Sequence, residues 1–140
     1  MVCLYCGSET QVINSRRQKR NNQVWRRRRC QECSALFTTH EAADLTGVIR
    51  VRSNGTLRPY DNNILFTEVL LSLQDRKKCY EEAREITNTV TQKLLLAPDF
   101  PLVDTSYISR TAGKVLKSFS KRAWQRFVLE HPSLQTQFTS

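Results

Sequence analysis

Two cysteine pairs, Cys3-x-x-Cys6 and Cys30-x-x-Cys33, are the residues of this 140-residue chain best suited to chemistry. A two-residue gap lets both thiolates of a pair face one metal ion from a tight knuckle. Four sulfurs from two knuckles then fill the tetrahedron of a structural Zn²⁺ site. With every position taken by protein, none is left for water or substrate, so such a metal holds shape and does not catalyse. The spacer of 23 residues slightly exceeds the common range. Two redox-active motifs or two disulfides are the alternatives, but a redox C-x-x-C belongs beside a βαβ unit, and an arginine-rich stretch is not one. Cys79, the odd cysteine, sits on a polar stretch and reads as a silent thiol.

The second chemical feature is the run Arg26-Arg27-Arg28-Arg29, which leads directly into Cys30. On a strand, side chains alternate, so at most two of these four share a face. Like charges this close repel, and an anionic partner that neutralises them gives the run a purpose. Arg16, Arg17, Lys19 and Arg20 lie on the preceding stretch, which strand pairing would bring alongside. The planar guanidinium fork suits phosphate oxygens and the guanine edge, so the pattern points to nucleic acid. Trp25 either packs beneath the arginines or stacks on a base, and a ribbon this small needs its apolar groups for packing.

Composition divides the chain. Residues 1–41 carry 8 Lys/Arg against 3 Asp/Glu, more than half of the net charge of +9 in under a third of the length. They also hold few large aliphatic side chains, too few to fold without a metal. From Ile49 onward the aliphatic content suffices for a conventional core. We therefore expect a basic module at 1–42, a linker at 43–47, a second module at 48–131 and a polar tail at 132–140. No apolar run is long enough to span a membrane. The start lacks the character of a signal peptide, and thiols kept for zinc suit a reducing compartment, so a cytoplasmic location is expected.

Those residues must be positioned by short elements. Gly7 follows the first knuckle, where a positive φ is expected. Gln11–Ile13, Gln23–Arg29 and Leu36–Thr39 read as strands, with Asn21-Asn22 as a turn. Together they predict a three-stranded antiparallel zinc ribbon. In the second module, Val48–Arg52 alternates as a strand, Asn54-Gly55 signals a tight hairpin, and Leu57-Arg58 returns until Pro59. Asp61 is placed to cap a helix carrying Leu65, Phe66, Val69, Leu70 and Leu73 at helical spacing. A second helix carries Tyr80, Ala83, Ile86, Val90 and Leu94. Pro98 and Pro101 bracket a loop. A third helix, capped by Asp104 or Thr105, carries Ile108, Ala112, Val115, Leu116 and Phe119. Ser120 caps a fourth, with Ala123, Trp124, Phe127 and Val128. A hairpin followed by about four helices is an α+β arrangement. It contains no catalytic set, no glycine-rich phosphate loop and no carboxylates grouped around a histidine, so no enzyme is expected. His131, beside Pro132, reads as inert, and His40 as a bland surface or packing residue.

The segments Cys3-Leu4-Tyr5-Cys6, Val12-Ile13-Asn14-Ser15-Arg16, Arg26 to Cys30 and Phe37-Thr38-Thr39-His40-Glu41 occur in the order seen in NrdR proteins, and the chain resembles that family. Its members are bacterial repressors of ribonucleotide reductase genes. Asn14 stands where the family usually has Asp, and His40 where it has an aromatic residue. The resemblance continues in Val51-Arg52-Ser53-Asn54-Gly55 with Pro59-Tyr60-Asp61, similar to the opening hairpin of an ATP-cone, and in Ala123-Trp124-Gln125-Arg126-Phe127 near that domain's end. It implies an ATP-cone-like domain after the ribbon, taking ATP or dATP at Val51, Arg52, Ser53, Asn54 and Arg58. The family's hairpin carries a Lys-Arg pair where this chain has Arg52-Ser53. A family lysine on the first helix is replaced by Ile64, and Arg58 adds a charge the family usually lacks.

The resemblance thus implies a homo-oligomeric transcriptional regulator. Its ribbon would bind double-stranded DNA through Arg16, Arg17 and Arg26 to Arg29, and adenine nucleotide would change how protomers associate. A different reading of the same residues is a basic ribbon for RNA, the ribosome or an acidic protein, attached to a nucleotide-insensitive body.

Overall fold

The computed structural model describes residues 1–20 and 22–138, which divide into a compact unit ending at Ala43 and another beginning at Asp44. The first is an antiparallel sheet of β1 (Thr10–Gln18), β2 (Gln23–Cys30) and β3 (Leu36–Ala42), in the order β1-β2-β3. All three expected strands are present, and β1 continues through the polar stretch to Gln18. Pairing with Gln23 to Cys30 gives those polar residues backbone partners, which side-chain pattern alone does not reveal. A bulge between Val12 and Asn14 inserts Ile13 as an extra residue. Asn22, at the turn, adopts a positive φ of 49°. Among the described residues of this unit only Cys3, Cys30 and Phe37 are buried. Packing alone therefore cannot hold the sheet.

The second unit has the hairpin and helices expected of an α+β domain. Strands β4 (Arg50–Ser53) and β5 (Thr56–Pro59) are joined by Asn54 and Gly55, with φ of 49° and 78°. Two successive positive φ angles produce the tight turn whose twist matches the flanking strands. Helices α1 (Asn62–Ser72), α2 (Cys79–Leu94), α3 (Thr105–Phe119) and α4 (Lys121–Glu130) follow. Asp61 accepts a hydrogen bond from the Asn63 N–H at 2.8 Å and starts α1, while Ser120 accepts one from the Ala123 N–H at 3.3 Å and starts α4. Among the described residues, no helix is long and apolar enough to cross a membrane.

Two elements depart from expectation. Directly after the loop bracketed by the prolines, Leu102–Asp104 forms β6, which runs parallel to β4 and places Val103 opposite Val51. Three residues are too few to show an alternating pattern, so the strand depends on its neighbour. The expected tail instead contains α5 (Pro132–Phe138), whose Leu134 is 1% exposed. Leu134 packs over Gly113 of α3, where an added β-carbon would lie 3.6 Å from its Cδ1.

The core joins Ile49, Val51 and Val103 from the sheet to Leu65, Val69 and Leu73 of α1, Ile86, Val90 and Leu94 of α2, Ala112 and Leu116 of α3, and Phe127 of α4. Cys79, expected on a polar surface, is partly buried against it. Tyr60 is buried at the end of the hairpin and shares a 2.9 Å hydrogen bond with the Thr91 hydroxyl, so its polar tip is satisfied where its ring packs.

Since α5 closes this core, Leu134→Ala should lower the stability of the second unit by about 2–5 kcal/mol. Denaturant titration followed by helical circular dichroism measures it. A change within error would show that α5 is not part of the folded unit.

Candidate functional site

Backbone turns bring the four ribbon cysteines together. In the first knuckle the Cys3 N–H donates to the Ser8 carbonyl at 2.8 Å and the Gly7 N–H to the Cys3 carbonyl at 3.0 Å. Gly7 takes the expected positive φ, 75°, and Ser34 takes 60° in the second knuckle, where its residue type gives no warning. The Cys30 N–H closes that second turn on the Ala35 carbonyl at 2.9 Å.

The four Sγ atoms lie within 4.8 Å of one another, with Cys3–Cys33 at 3.6 Å and Cys6–Cys30 at 3.4 Å. A zinc–thiolate tetrahedron with bonds of about 2.3 Å has edges of about 3.8 Å. The donor set therefore fits a structural Zn²⁺. The N–H groups of Tyr5 and Cys33 approach the Cys3 and Cys30 sulfurs at 3.4 and 3.5 Å, where they would stabilise thiolate charge. Proton affinities within the cluster diverge. The Ser8 hydroxyl and N–H draw the Cys6 thiol down to about 6. Against the pull of the Ala35 N–H, desolvation and the neighbouring sulfurs push Cys33 up to about 12. A dication that replaces the protons removes this conflict.

Strand register sorts the basic residues. Arg16 and His40 flank Trp25, Asn14 and Thr38 flank Arg27, and Gln11 and Leu36 flank Arg29. Directly opposed residues share a face, so Arg16, Arg27 and Arg29 stand together with Trp25. The Arg16 guanidinium lies 5.9 Å from the Trp25 ring centroid, so the ring supports an arginine. Arg17, Arg26 and Arg28 occupy the other face with buried Phe37. There Arg26 donates to the Glu41 carboxylate at 2.9 and 3.1 Å and to the Ser15 hydroxyl at 3.3 Å. Arg28 donates to the hydroxyls of Thr39 at 3.2 Å and Thr10 at 3.4 Å. The run that looks uniform in the sequence is thus divided in two.

The hairpin residues also separate. Val51 and Arg58 oppose each other on β4 and β5 and line a cleft of about 300 Å³ with Tyr60, Asp61, Ile64, Glu68, Thr105, Ser109, Glu130 and His131. Arg52 is not among its lining residues. It donates to the two carboxylate oxygens of Asp104 at 2.7 and 3.0 Å. This bidentate pair raises the Arg52 pKa and lowers that of Asp104. It also explains why Asp104, at the N-cap position of α3, makes no side-chain capping bond. Ser53 and Asn54 lie at the hairpin tip, where the Ser53 carbonyl accepts from the Thr56 hydroxyl at 2.7 Å.

His131 is not inert. Its ring stacks on Phe127 with centroids 4.1 Å apart, its Nδ1 is 2.8 Å from the Phe127 carbonyl oxygen, and its Nε2 is 3.6 Å from Glu68 Oε2. The Glu68 carboxylate raises its pKa above 6.5 against the effect of burial, helped by the Phe127 carbonyl. Only the four-residue spacing from Phe127 hints at this contact; Glu68 is distant in sequence.

Residues 1–41 match the family described as transcriptional repressor NrdR-like, N-terminal domain. Over its length the chain is similar to proteins named transcriptional repressor NrdR. The relative from Psychrobacter arcticus is 36% identical, covering 96% of this chain and 89% of its own. That from Herpetosiphon aurantiacus is 31% identical over 91% and 84%, and that from Streptococcus sanguinis 28% over 96% and 86%.

Two measurements test these centres. Because every helix among the described residues belongs to the second unit, a strong chelator should abolish the ribbon's dispersed amide resonances while sparing most helical circular dichroism, and added Zn²⁺ should restore them. Ribbon resonances that survive chelation would remove the metal's structural role. For His131, a folded-state pKa above the unfolded value makes its contribution complete below about 6.5 and lost as pH rises through the folded pKa. Stability of the second unit should therefore fall as the pH rises above about 6.5, and His131→Gln should flatten that slope. An unaltered slope would assign it to other groups.

Proposed function

This chain belongs to the NrdR family of transcriptional repressors, and we propose that it represses ribonucleotide reductase genes by binding upstream duplex DNA through its zinc ribbon. The carrying observation is the basic sheet clamped by four cysteines, with Arg16, Arg17 and Arg26 to Arg29 distributed over its two faces. Arginine forks on a rigid sheet can meet phosphates and base edges. One ribbon offers few contacts for specific binding, so the acting species is a homo-oligomer. On this reading the protein is a cytoplasmic regulator rather than an enzyme.

The finer part of the proposal gives the second unit a regulatory ligand, ATP or dATP, that changes how protomers associate. The resemblance of the hairpin and the cleft beside it support this. Arg58 would meet the phosphates, and Val51 and the tip residues Ser53 and Asn54 would frame the nucleotide. Asp61, Glu68 and Glu130 also line the cleft and oppose a bare triphosphate, so the nucleotide would enter with a divalent cation that bridges carboxylate and phosphate oxygens. The pairing of Arg52 with Asp104 favours a second reading, in which the body is insensitive to nucleotide.

Zinc-loaded full-length protein distinguishes them when titrated with ATP or dATP, with and without Mg²⁺, while thermal stability, sedimentation and DNA anisotropy are followed. The proposal expects a concentration-dependent rise in Tm that needs Mg²⁺, a change in assembly, and changed affinity for the duplex upstream of the host's ribonucleotide reductase genes. Arg58→Ala should weaken the nucleotide effect about tenfold or more. Duplex binding indifferent to nucleotide would leave the repressor reading and discard the regulatory ligand. Equal binding to an RNA hairpin would discard both.

A further inference from the structure

We infer that only one face of the ribbon sheet reads DNA sequence, the face of Asn14, Arg16, Trp25, Arg27 and Arg29, and that it does so in the major groove. The inference rests on the reading of the ribbon as a duplex-DNA binder and specifies which side chains carry the information.

Two observations separate the faces, and a third fits the chosen face to base edges. The first is charge. Glu41 lies on the opposite face, in the row of Val24 and Arg17, and holds Arg26 through two hydrogen bonds. The rows containing Trp25, Arg27 and Arg29 hold no carboxylate among the described residues. The second is prior commitment. Arg28 is held by two threonine hydroxyls beside buried Phe37, whereas Arg27 meets a single hydroxyl, that of Thr38, at 3.1 Å. Arg29 is exposed and has no ion-pair partner among the described residues. A neutral hydroxyl is readily exchanged for a base edge, while the charge-assisted pair of Arg26 with Glu41 Oε2 is not.

The third is chemical type and spacing. Arginine forks match the O6 and N7 acceptors of guanine, and an Asn amide matches the N6 and N7 of adenine. Arg27 and Arg29 are separated by two residues of strand, about 6.8 Å, close to two base-pair steps of about 3.4 Å. Their guanidinium groups can therefore address positions two base pairs apart in one groove. Asn14 stands directly beside Arg27, and the Trp25 ring holds Arg16 at the end of the same face. Sheet elements enter the major groove in this manner, and only that groove distinguishes all four base pairs. Arg26 and Arg28 add positive charge without sequence information.

The test begins with zinc-loaded full-length protein selecting its preferred duplex from a random pool. Anisotropy then compares that duplex with a scrambled one at two salt concentrations. Arg27→Ala and Arg29→Ala should each reduce the selected-over-scrambled ratio about 5- to 150-fold. Arg26→Ala and Arg28→Ala should weaken both duplexes by similar factors and leave the ratio within about twofold. Zinc content and amide dispersion identify any variant that fails to fold, and Arg26→Lys and Arg28→Lys then take its place. Replacing guanine by 7-deazaguanine, which lacks the major-groove N7, should mimic the Arg27 and Arg29 losses. Inosine, which lacks the minor-groove amine, should not. A ratio that depends on Arg26 or Arg28 instead, or on inosine but not 7-deazaguanine, overturns the assignment while leaving DNA binding intact. A pool that yields no enriched sequence refutes the underlying DNA reading itself.

Discussion

A ribbon whose buried side chains, among the described residues, are two cysteines and one phenylalanine cannot be held by apolar burial, and everything it does depends on four sulfurs converging on one centre. A free chain of this length would lose more conformational entropy on ordering than so small a core returns. A metal bond network closes both turns at once and makes the stability of the sheet a matter of coordination. The gain is functional as well as structural. Side chains that a conventional core would need facing inward remain available at the surface, and the chain fills those positions with arginine.

Repulsion among these arginines is answered locally. Pairing with β1 and β3 distributes the cations over two faces, and hydroxyls of Ser15, Thr10, Thr38 and Thr39 provide neutral acceptors between the guanidinium groups. One carboxylate, Glu41, neutralises one cation, Arg26. In the second unit, Arg52 and Asp104 join β4 to the start of α3 on one side of the hairpin, while the cleft lies beside Arg58 on the other. The Arg52 charge is thus already answered by a carboxylate of its own chain, while Arg58 has no ion-pair partner among the described residues.

Much of this was legible in the sequence, because the signals were local. Paired cysteines at fixed spacing, Asn-Gly between short strands, and Asp61 and Ser120 ahead of helical periodicity each act over a few residues. The misses were relational. The strand at Leu102–Asp104 exists because β4 lies beside it, α5 because Leu134 finds the open surface over Gly113, and the environment of His131 because Glu68 arrives from a distant helix. The sequence reading correctly expected the arginines to alternate. It did not identify their partners, since Glu41 reaches Arg26 only through the register of β2 with β3.

The extra residue at Ile13 also sets a phase. Up to Val12 the even-numbered residues of β1 face the side of Phe37; from Asn14 they face the side of Trp25. Arg16 and Arg17 are adjacent in the chain, so this half-step alone decides which of them stands beside the indole. Were Ile13 drawn into the ladder opposite Arg27, with Val12 still opposite Arg28, Arg17 would take the face of Trp25 and Arg16 that of Phe37, with no change of composition, net charge or cysteine spacing. Among homologous ribbons, the place of the extra residue is therefore as informative as the identity of the residues around it. An alignment that places a gap carelessly there would equate arginines that point in opposite directions.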